Sequence, residues 1–166
     1  MSIREAPTRP AVEVAEVWAA LAEVPDPEIP AVSVVDLGIV HHVAIDRDAI
    51  QVEILPTFVG CPAVEAMRSA IEDRLAGLAP RVEVQTTFAV PWTSDRISPA
   101  GRDKLSASGF APPTSGQAPI SLDRAATCPH CGSRRTVLEN AFGPTLCRSI
   151  YYCTDCRQPF EQFKTV

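Results

Sequence analysis

Cys128-Pro129-His130-Cys131 and Cys153-Thr154-Asp155-Cys156 are the two stretches that decide how the C-terminal part of this chain folds. Each has C-x2-C spacing, so one tight turn can direct two sulfur atoms at one ion, and two such turns complete a tetrahedron. Between them, residues 136–138 and 149–152 predict two strands that join the turns. We therefore predict a zinc ribbon over residues 124–166, in which a structural zinc ion is bound by Cys128, Cys131, Cys153 and Cys156.

Other interpretations of the cysteines stay open at the level of sequence. A thioredoxin-like redox pair would follow a strand and open a helix, whereas both pairs here lie among turn residues. An iron–sulfur cluster or a single iron ion could use the same four ligands. Cys147 lies outside both pairs. It is either a small residue buried under a strand or a second thiol available to a transferred metal.

The first hundred residues alternate between helical and extended patterns. Together they predict an α+β fold: a small three-stranded sheet with helices packed on one face, plus the C-terminal zinc-ribbon module. Ser98 and Pro99 suit the cap and first turn of a further short helix. The periodicity predicts helices over residues 11–24 and 62–78, and strands over residues 39–45, 50–55 and 82–90.

These patterns divide the chain into three parts. Residues 11–100 form the first domain, residues 101–123 a short helix and a proline-rich linker, and residues 124–166 the ribbon. The linker is predicted from Gly, Pro and Ser near residues 111–119.

The bulk composition argues against several classes of protein. No apolar run approaches the roughly 18 residues that span a bilayer, and the N-terminus lacks a secretory-signal pattern. We therefore expect a cytoplasmic protein without membrane contact, whose six cysteines are metal ligands or reactive thiols. The net charge is −5, with +3 on residues 124–166 and −8 on residues 1–123, which disfavours nucleic-acid binding. Without a nucleophile–base signature or a phosphate loop, we predict no enzyme activity.

Cys61 is the candidate reactive residue of the first domain. It lies where a loop enters a helix, and the unpaired N–H groups and positive dipole end there favour a thiolate. Asp26, in a proline-flanked loop, is a candidate carboxylate on the same side. From the residues alone, Cys61 is equally well a buried cysteine in a packed turn, and Asp26 a turn or cap residue.

Three triplets in the first domain resemble a known family. Asp26-Pro27-Glu28, Asp36-Leu37-Gly38 and Gly60-Cys61-Pro62, in this order, are similar to the metal–sulfur cluster assembly domains of iron–sulfur maturation factors. The resemblance covers roughly residues 11–100. It implies that Cys61 and Asp26 handle iron or a cluster, with Fe or Fe–S bound transiently at Cys61 and a labile site that a homodimer could share.

The remaining motifs resemble a narrower group. Residues 90–95, 109–113 and the segments around the paired cysteines are similar to the D subunits of bacterial phenylacetyl-CoA epoxidase systems. This implies a non-catalytic maturation role in aerobic phenylacetate degradation. The implied client is the reductase subunit, with its plant-type [2Fe–2S] cluster, or the di-iron oxygenase subunit. The alternative is a scaffolding subunit that docks through its ribbon, using aromatic side chains that we expect to be exposed: Tyr151, Tyr152, Phe160 and Phe163.

Overall fold

The computed structural model describes residues 12–58, 60–113 and 125–164. The predicted helix start at Ala11 and the predicted linker beyond Pro113 lie outside these residues. Among the described residues, no helix is both long enough and apolar enough to cross a bilayer.

The N-terminal part is an α+β layer, as predicted. Its elements are α1 (Val14–Leu21), β1 (Val40–Asp46), β2 (Ala49–Ile54), α2 (Ala63–Leu75) and β3 (Arg81–Thr86). β1 and β2 form an antiparallel hairpin, and β3 pairs parallel to β2. A parallel pair needs a crossover connection, which α2 supplies. The sheet order is therefore β1-β2-β3, with α1 and α2 packed on it and on each other.

Residue spacing explains how this layer buries its core. Met67, Ile71 and Leu75 recur every four residues along α2 and form its buried stripe. The third strand is shorter than predicted, because it ends at Thr86 and not at residue 90. Its partner β2 ends at Ile54, whose carbonyl accepts the last bond, from the N–H of Thr87 at 2.9 Å. Beyond that point β2 offers no further residue to pair with.

A further helix, α3 (Pro99–Ala107), fastens to the turn that carries Asp36. The hydroxyl of Ser98 caps α3 by accepting from the N–H of Gly101 at 2.9 Å, as predicted. Lys104 Nζ lies 2.6 Å from Asp36 Oδ2. Gly101 allows this approach, since a Cβ there would lie 2.7 Å from the carbonyl oxygen of Asp36.

The C-terminal part is a four-stranded sheet in the order β4-β7-β6-β5. The two predicted strands correspond to β5 (Thr136–Asn140) and β6 (Arg148–Cys153), which are antiparallel. The sequence patterns did not predict β7 (Pro159–Phe163) and β4 (Phe110–Ala111). β4 follows α3 directly and pairs parallel to β7, so the ribbon sheet includes residues from the N-terminal part of the chain.

The expectation that the ribbon aromatics are exposed is wrong. Tyr151 and Phe160 are each 5% exposed, and their rings stack with centroids 5.7 Å apart in the small ribbon core. Phe163 is 3% exposed and joins the core of the N-terminal layer, where its ring lies 5.8 Å from that of Trp92. Tyr152 is half-buried. These side chains hold the ribbon together and attach it to the first layer, so they are not an open docking surface.

Candidate metal sites

The structure brings the four predicted ribbon ligands together. The sulfur atoms of Cys128, Cys131, Cys153 and Cys156 all lie within 4.8 Å of one another. Cys128 Sγ is 3.7 Å from Cys156 Sγ, and Cys131 Sγ is 3.6 Å from Cys153 Sγ. A tetrahedral zinc ion with Zn–S bonds of about 2.3 Å requires sulfur separations of about 3.8 Å. The four thiols therefore fit one zinc ion.

Two turns with the same backbone path present these sulfurs. In the first, the N–H of Gly132 donates to the carbonyl of Cys128 at 2.9 Å, and in the second the N–H of Arg157 donates to the carbonyl of Cys153 at 2.9 Å. Both donors have a left-handed backbone, with φ of 75° at Gly132 and 59° at Arg157. The C-x2-C spacing thus produces two equivalent knuckles, one of which places a non-glycine residue in that conformation.

The thiols of the cluster ionise at different pH values when no ion compensates their charge. Backbone N–H groups, first that of Cys156, lower the pKa of Cys153 to about 7. Loss of hydration raises the pKa of Cys156 to about 12. Because neighbouring thiolates repel one another, four can coexist only if a cation neutralises them. A divalent ion would supply that charge.

Cys61 and Asp26, the predicted iron-handling residues, line one narrow cavity of about 20 Å³. Cys61 is half-buried and lies two residues before α2 begins. Gly60 enters this turn with φ of 78°, a conformation that glycine adopts without steric cost. The far side of the cavity comes from the ribbon, through Cys147 and Phe163. The cavity thus lies between the two parts of the molecule.

Asp26 also caps a turn, which is the other interpretation that the sequence left open for it. Its Oδ1 accepts hydrogen bonds from the N–H groups of Glu28 at 3.0 Å and Ile29 at 2.8 Å, which caps the proline-flanked turn. The residue is only 8% exposed. Burial raises the pKa of Asp26 in spite of these two bonds. A buried carboxyl whose pKa is shifted, beside a thiol in a cavity, is a recurrent feature of functional sites.

The sequence patterns did not reveal the ion-pair group that joins Glu28, a residue of the cavity wall, to the ribbon. Arg148 Nη2 donates to Glu28 Oε2 at 3.2 Å, and Nη1 donates to Glu161 Oε2 at 3.0 Å. The guanidinium also lies 5.2 Å from the ring centroid of Phe110. The Arg148 side chain is 9% exposed. The sequence offers two signals only: Arg148 follows Cys147, and Glu28 belongs to the Asp-Pro-Glu triplet. Neither signal indicates that Arg148 and Glu28 are in contact.

Cys147 is buried, as the first of its two interpretations expects, but it also faces the cavity. Its sulfur lies 3.1 Å from Thr145 Oγ1 and 4.0 Å from Glu28 Oε2. Burial raises the pKa of the Cys147 thiol, and the negative charge of Glu28 adds to this. The thiol is therefore protonated at neutral pH unless a cation enters the cavity.

Comparison with known proteins gives a relative of nearly the same length. Over 156 residues, 93% of this chain and 94% of the other, the chain is 36% identical to an Escherichia coli (strain K12) protein that is named as the D subunit of a "Putative 1,2-phenylacetyl-CoA epoxidase". The chain belongs to this family of epoxidase D subunits. Residues 112–164 match the family described as "PaaD zinc beta ribbon domain", and residues 14–86 match "Iron-sulfur cluster assembly protein".

Solved structures resemble the first part of this family member. A crystal structure of a domain of unknown function, DUF59, from Bacillus anthracis is 28% identical, with a TM-score of 0.51; it covers 55% of this chain and 89% of that one. A conserved hypothetical protein from Thermotoga maritima is 34% identical, with a TM-score of 0.49, and covers 57% of this chain and 94% of that one. The two family matches and the Escherichia coli relative confirm the predicted family, and the Bacillus anthracis structure together with the four clustered thiols confirms the predicted fold.

Proposed function

We propose that this member of the D-subunit family is a non-catalytic accessory protein that assists iron–sulfur or metal-centre maturation of a phenylacetyl-CoA epoxidase. Two findings support this: residues 14–86 match an iron–sulfur cluster assembly family, and the relative from Escherichia coli is named as an epoxidase subunit. In this proposal the cargo is iron or an Fe–S cluster held transiently at Cys61, in the context of aerobic phenylacetate degradation.

The observation that most supports the proposal is the position of Cys61. It faces a cavity that also contains the buried carboxyl of Asp26 and lies against the ribbon. A thiolate and a carboxylate are iron ligands, and a site with few protein ligands releases its metal readily to a client. Cys61 would bind the metal, while Asp26 would hold the turn in place and offer a carboxylate.

The ribbon has a different part in this proposal. A zinc ion bound by four thiolates has no open coordination position, so it stabilises a fold and does no chemistry. Cys128, Cys131, Cys153 and Cys156 would therefore bind structural zinc. The transferable metal would lie in the other site, at the contact between the ribbon and the assembly domain.

The client in this proposal is the reductase subunit with its plant-type [2Fe–2S] cluster, or the di-iron oxygenase subunit. A cytoplasmic location and a homodimer that completes a labile site are parts of the same hypothesis. They are checked by fractionation of the native host and by the molar mass of the anaerobic protein in solution. The domain boundaries at residues 100 and 123 also stay predictions.

Metal analysis of anaerobically purified protein tests the proposal. Wild-type protein should contain one zinc per chain together with iron or labile sulfide. Cys61→Ser should keep the zinc and the fold. Its iron content should fall about tenfold or more, because the cysteine that binds the iron is gone. The reductase matured in its presence should have less cluster. Glu65→Gln is a matched control at the start of the same helix, where the side chain is 78% exposed. Unchanged iron and an unchanged client with Cys61→Ser would contradict the proposal.

A scaffolding role is the second candidate, and one observation favours it. The loop between β5 and β6 presents Phe142 and Leu146, which are 68% and 54% exposed. Exposed large apolar side chains on one loop are typical of a docking surface. Co-purification with an epoxidase subunit in fixed stoichiometry throughout turnover would favour scaffolding. Transient association below one copy per complex would favour maturation.

A further inference from the structure

The loop between β5 and β6 combines exposed apolar side chains with a restrained backbone. Phe142 and Leu146 are 68% and 54% exposed. The N–H of Phe142 donates to Asn140 Oδ1 at 2.9 Å, and the N–H of Gly143 donates to the carbonyl of Arg148 at 2.8 Å. Side chains that are held in place before binding lose little conformational entropy when a partner covers them. The loop is therefore preorganised for contact with another surface.

This loop also forms part of the wall around Cys61. Leu146 lines the same narrow cavity as Cys61, together with Phe58 and Pro62 of the assembly domain. Because Leu146 lines the cavity and is also exposed to solvent, it lies at the cavity rim. A protein that covers this rim comes close to Cys61. Docking at the loop and metal transfer from Cys61 are thus compatible in one complex.

Lys164 gives this surface its charge. Its Nζ lies 5.0 Å from the ring centroid of Phe142 and donates to the carbonyl of Leu146 at 2.8 Å. Residues 141–147 contain no acidic or basic side chain of their own. A complementary partner therefore presents apolar side chains next to a carboxylate, which pairs with the Lys164 ammonium.

Charge and ligand chemistry indicate which partner this is. A two-fold dimer through this surface would bring two Lys164 ammonium groups together, and like charges repel. The occupant that we expect is therefore a different protein. A metal held by the thiolate of Cys61 matches an acceptor site that is itself built from soft thiolate ligands, as iron–sulfur clusters are. Of the two clients in the proposed function, the reductase subunit offers such ligands.

We propose that Phe142, Leu146 and Lys164 form the docking surface for the reductase subunit, which covers the rim of the Cys61 cavity with an apolar patch that carries a carboxylate. The proposal rests on the proposed function and deepens it, because it identifies the surface through which the metal at Cys61 reaches its acceptor.

Binding of the purified reductase subunit to the full-length protein, measured by titration calorimetry, tests this surface. Phe142→Ser and Leu146→Ser should each weaken the affinity about tenfold or more. Both side chains are exposed, so the variants should keep their zinc and their unfolding midpoint. Val137→Ser is the matched control and should bind like the wild type. Its side chain is 53% exposed on β5 of the ribbon and lines neither cavity.

The charge of the surface is tested separately. Lys164→Gln should weaken binding about fivefold and reduce its dependence on salt concentration, because the pair with the partner's carboxylate is lost. Wild-type affinity and salt dependence in this variant would contradict the acidic character of the partner.

The docking surface and the proposed function can fail independently. Wild-type affinity in the Phe142 and Leu146 variants would overturn the surface, and so would binding to the oxygenase subunit alone. A molar mass that falls from dimer to monomer in these variants would show that a second copy is the occupant. If these variants bound normally while Cys61→Ser lowered the cluster content of the reductase, the proposed function would stand without this surface. If they lost binding while Cys61→Ser left the cluster content unchanged, the surface would stand and the maturation role would fail.

Discussion

The two cysteine sites of this protein differ in how their ligands are brought together. The ribbon site takes two sulfurs from each of two tight turns, and both turns have the same hydrogen-bond pattern. The cavity is lined by Cys61, Asp26 and Glu28 from the assembly domain and by Cys147 from the ribbon. The first site is built from local geometry. The second exists only while the ribbon is docked.

This difference affects how each site could bind and release a metal ion. Four thiolates saturate a zinc ion and leave nothing to exchange, whereas a metal bound at Cys61, as in the proposed function, would have few protein ligands and open coordination positions. The buried carboxyl of Asp26 and the buried thiol of Cys147 both have raised pKa values, so their charged forms are disfavoured until a cation arrives. In the proposed function, the ribbon site therefore provides stability and the cavity provides metal exchange.

The largest effect is expected from removing a ribbon ligand. Cys153→Ala should abolish zinc binding and unfold the ribbon, because zinc contributes an apparent free energy of about 10–16 kcal/mol in small modules of this kind. The core of β1, β2 and β3 should remain folded. Zinc content and near-ultraviolet circular dichroism measure these outcomes. Cys147→Ser is the matched control and should retain its zinc. A zinc-replete Cys153→Ala protein would show that the four-thiol assignment is wrong.

Breaking the ion pairs of Arg148 should disturb the cavity and leave the ribbon site intact. Arg148→Met leaves two carboxylates without their cation, which should lower the free energy of unfolding by about 3 kcal/mol. The ribbon should keep its zinc, while alkylation of Cys147 by iodoacetamide becomes faster. Urea unfolding, zinc analysis and peptide mapping measure these three effects.

Arg81→Gln is the control for this experiment, because it breaks the solvent-exposed pair with Glu83 and should change stability by about 0.5 kcal/mol or less. If Arg148→Met lost its zinc together with its docking, the two sites would not be independent and the comparison between them would fail.

The smallest effects on the free energy of unfolding are expected at Asp26 and Asp36, the aspartates of the first two family triplets. Above the raised pKa of Asp26, its charge destabilises the folded state, so Asp26→Asn should increase stability at pH 7 while its Oδ1 still accepts both N–H groups. This gain should disappear as the pH falls below 3.8, where both states of the wild type are protonated.

Asp36 should respond in the opposite direction. Burial opposes its charge, but hydrogen bonds from Lys104 and Ser33 outweigh burial and lower the pKa of Asp36. Its contribution is present above pH 3.8 and is lost as the pH falls through the lowered value. Asp36→Asn should therefore cost about 1 kcal/mol at pH 7. Unfolding curves across pH 3–7 compare the two variants, and equal shifts in the same direction would contradict this assignment.

Much of the fold could be predicted because its signals are periodic and local. The stripe of Met67, Ile71 and Leu75 predicts α2, and Ser98 predicts the start of α3. Short or edge elements were missed or misplaced: β4 has two residues, and β3 stops where β2 stops. The expectation that the ribbon aromatics are exposed is wrong, because a strand pattern does not reveal that Tyr151 and Phe160 pack in the ribbon's own core or that the first layer covers Phe163.

By itself, the sequence determined which four ribbon cysteines come together and the three-stranded layer, because a C-x2-C turn and an apolar stripe depend on residues a few positions apart. It also identified Cys61 and Asp26 as candidates, through motifs that resemble a family. Only the tertiary structure decided that Cys61 faces the same cavity as Cys147 and that Arg148 bridges Glu28 and Glu161. Glu28 and Arg148 are 120 positions apart. No local pattern encodes such a contact, since it depends on how two separately folded surfaces pack.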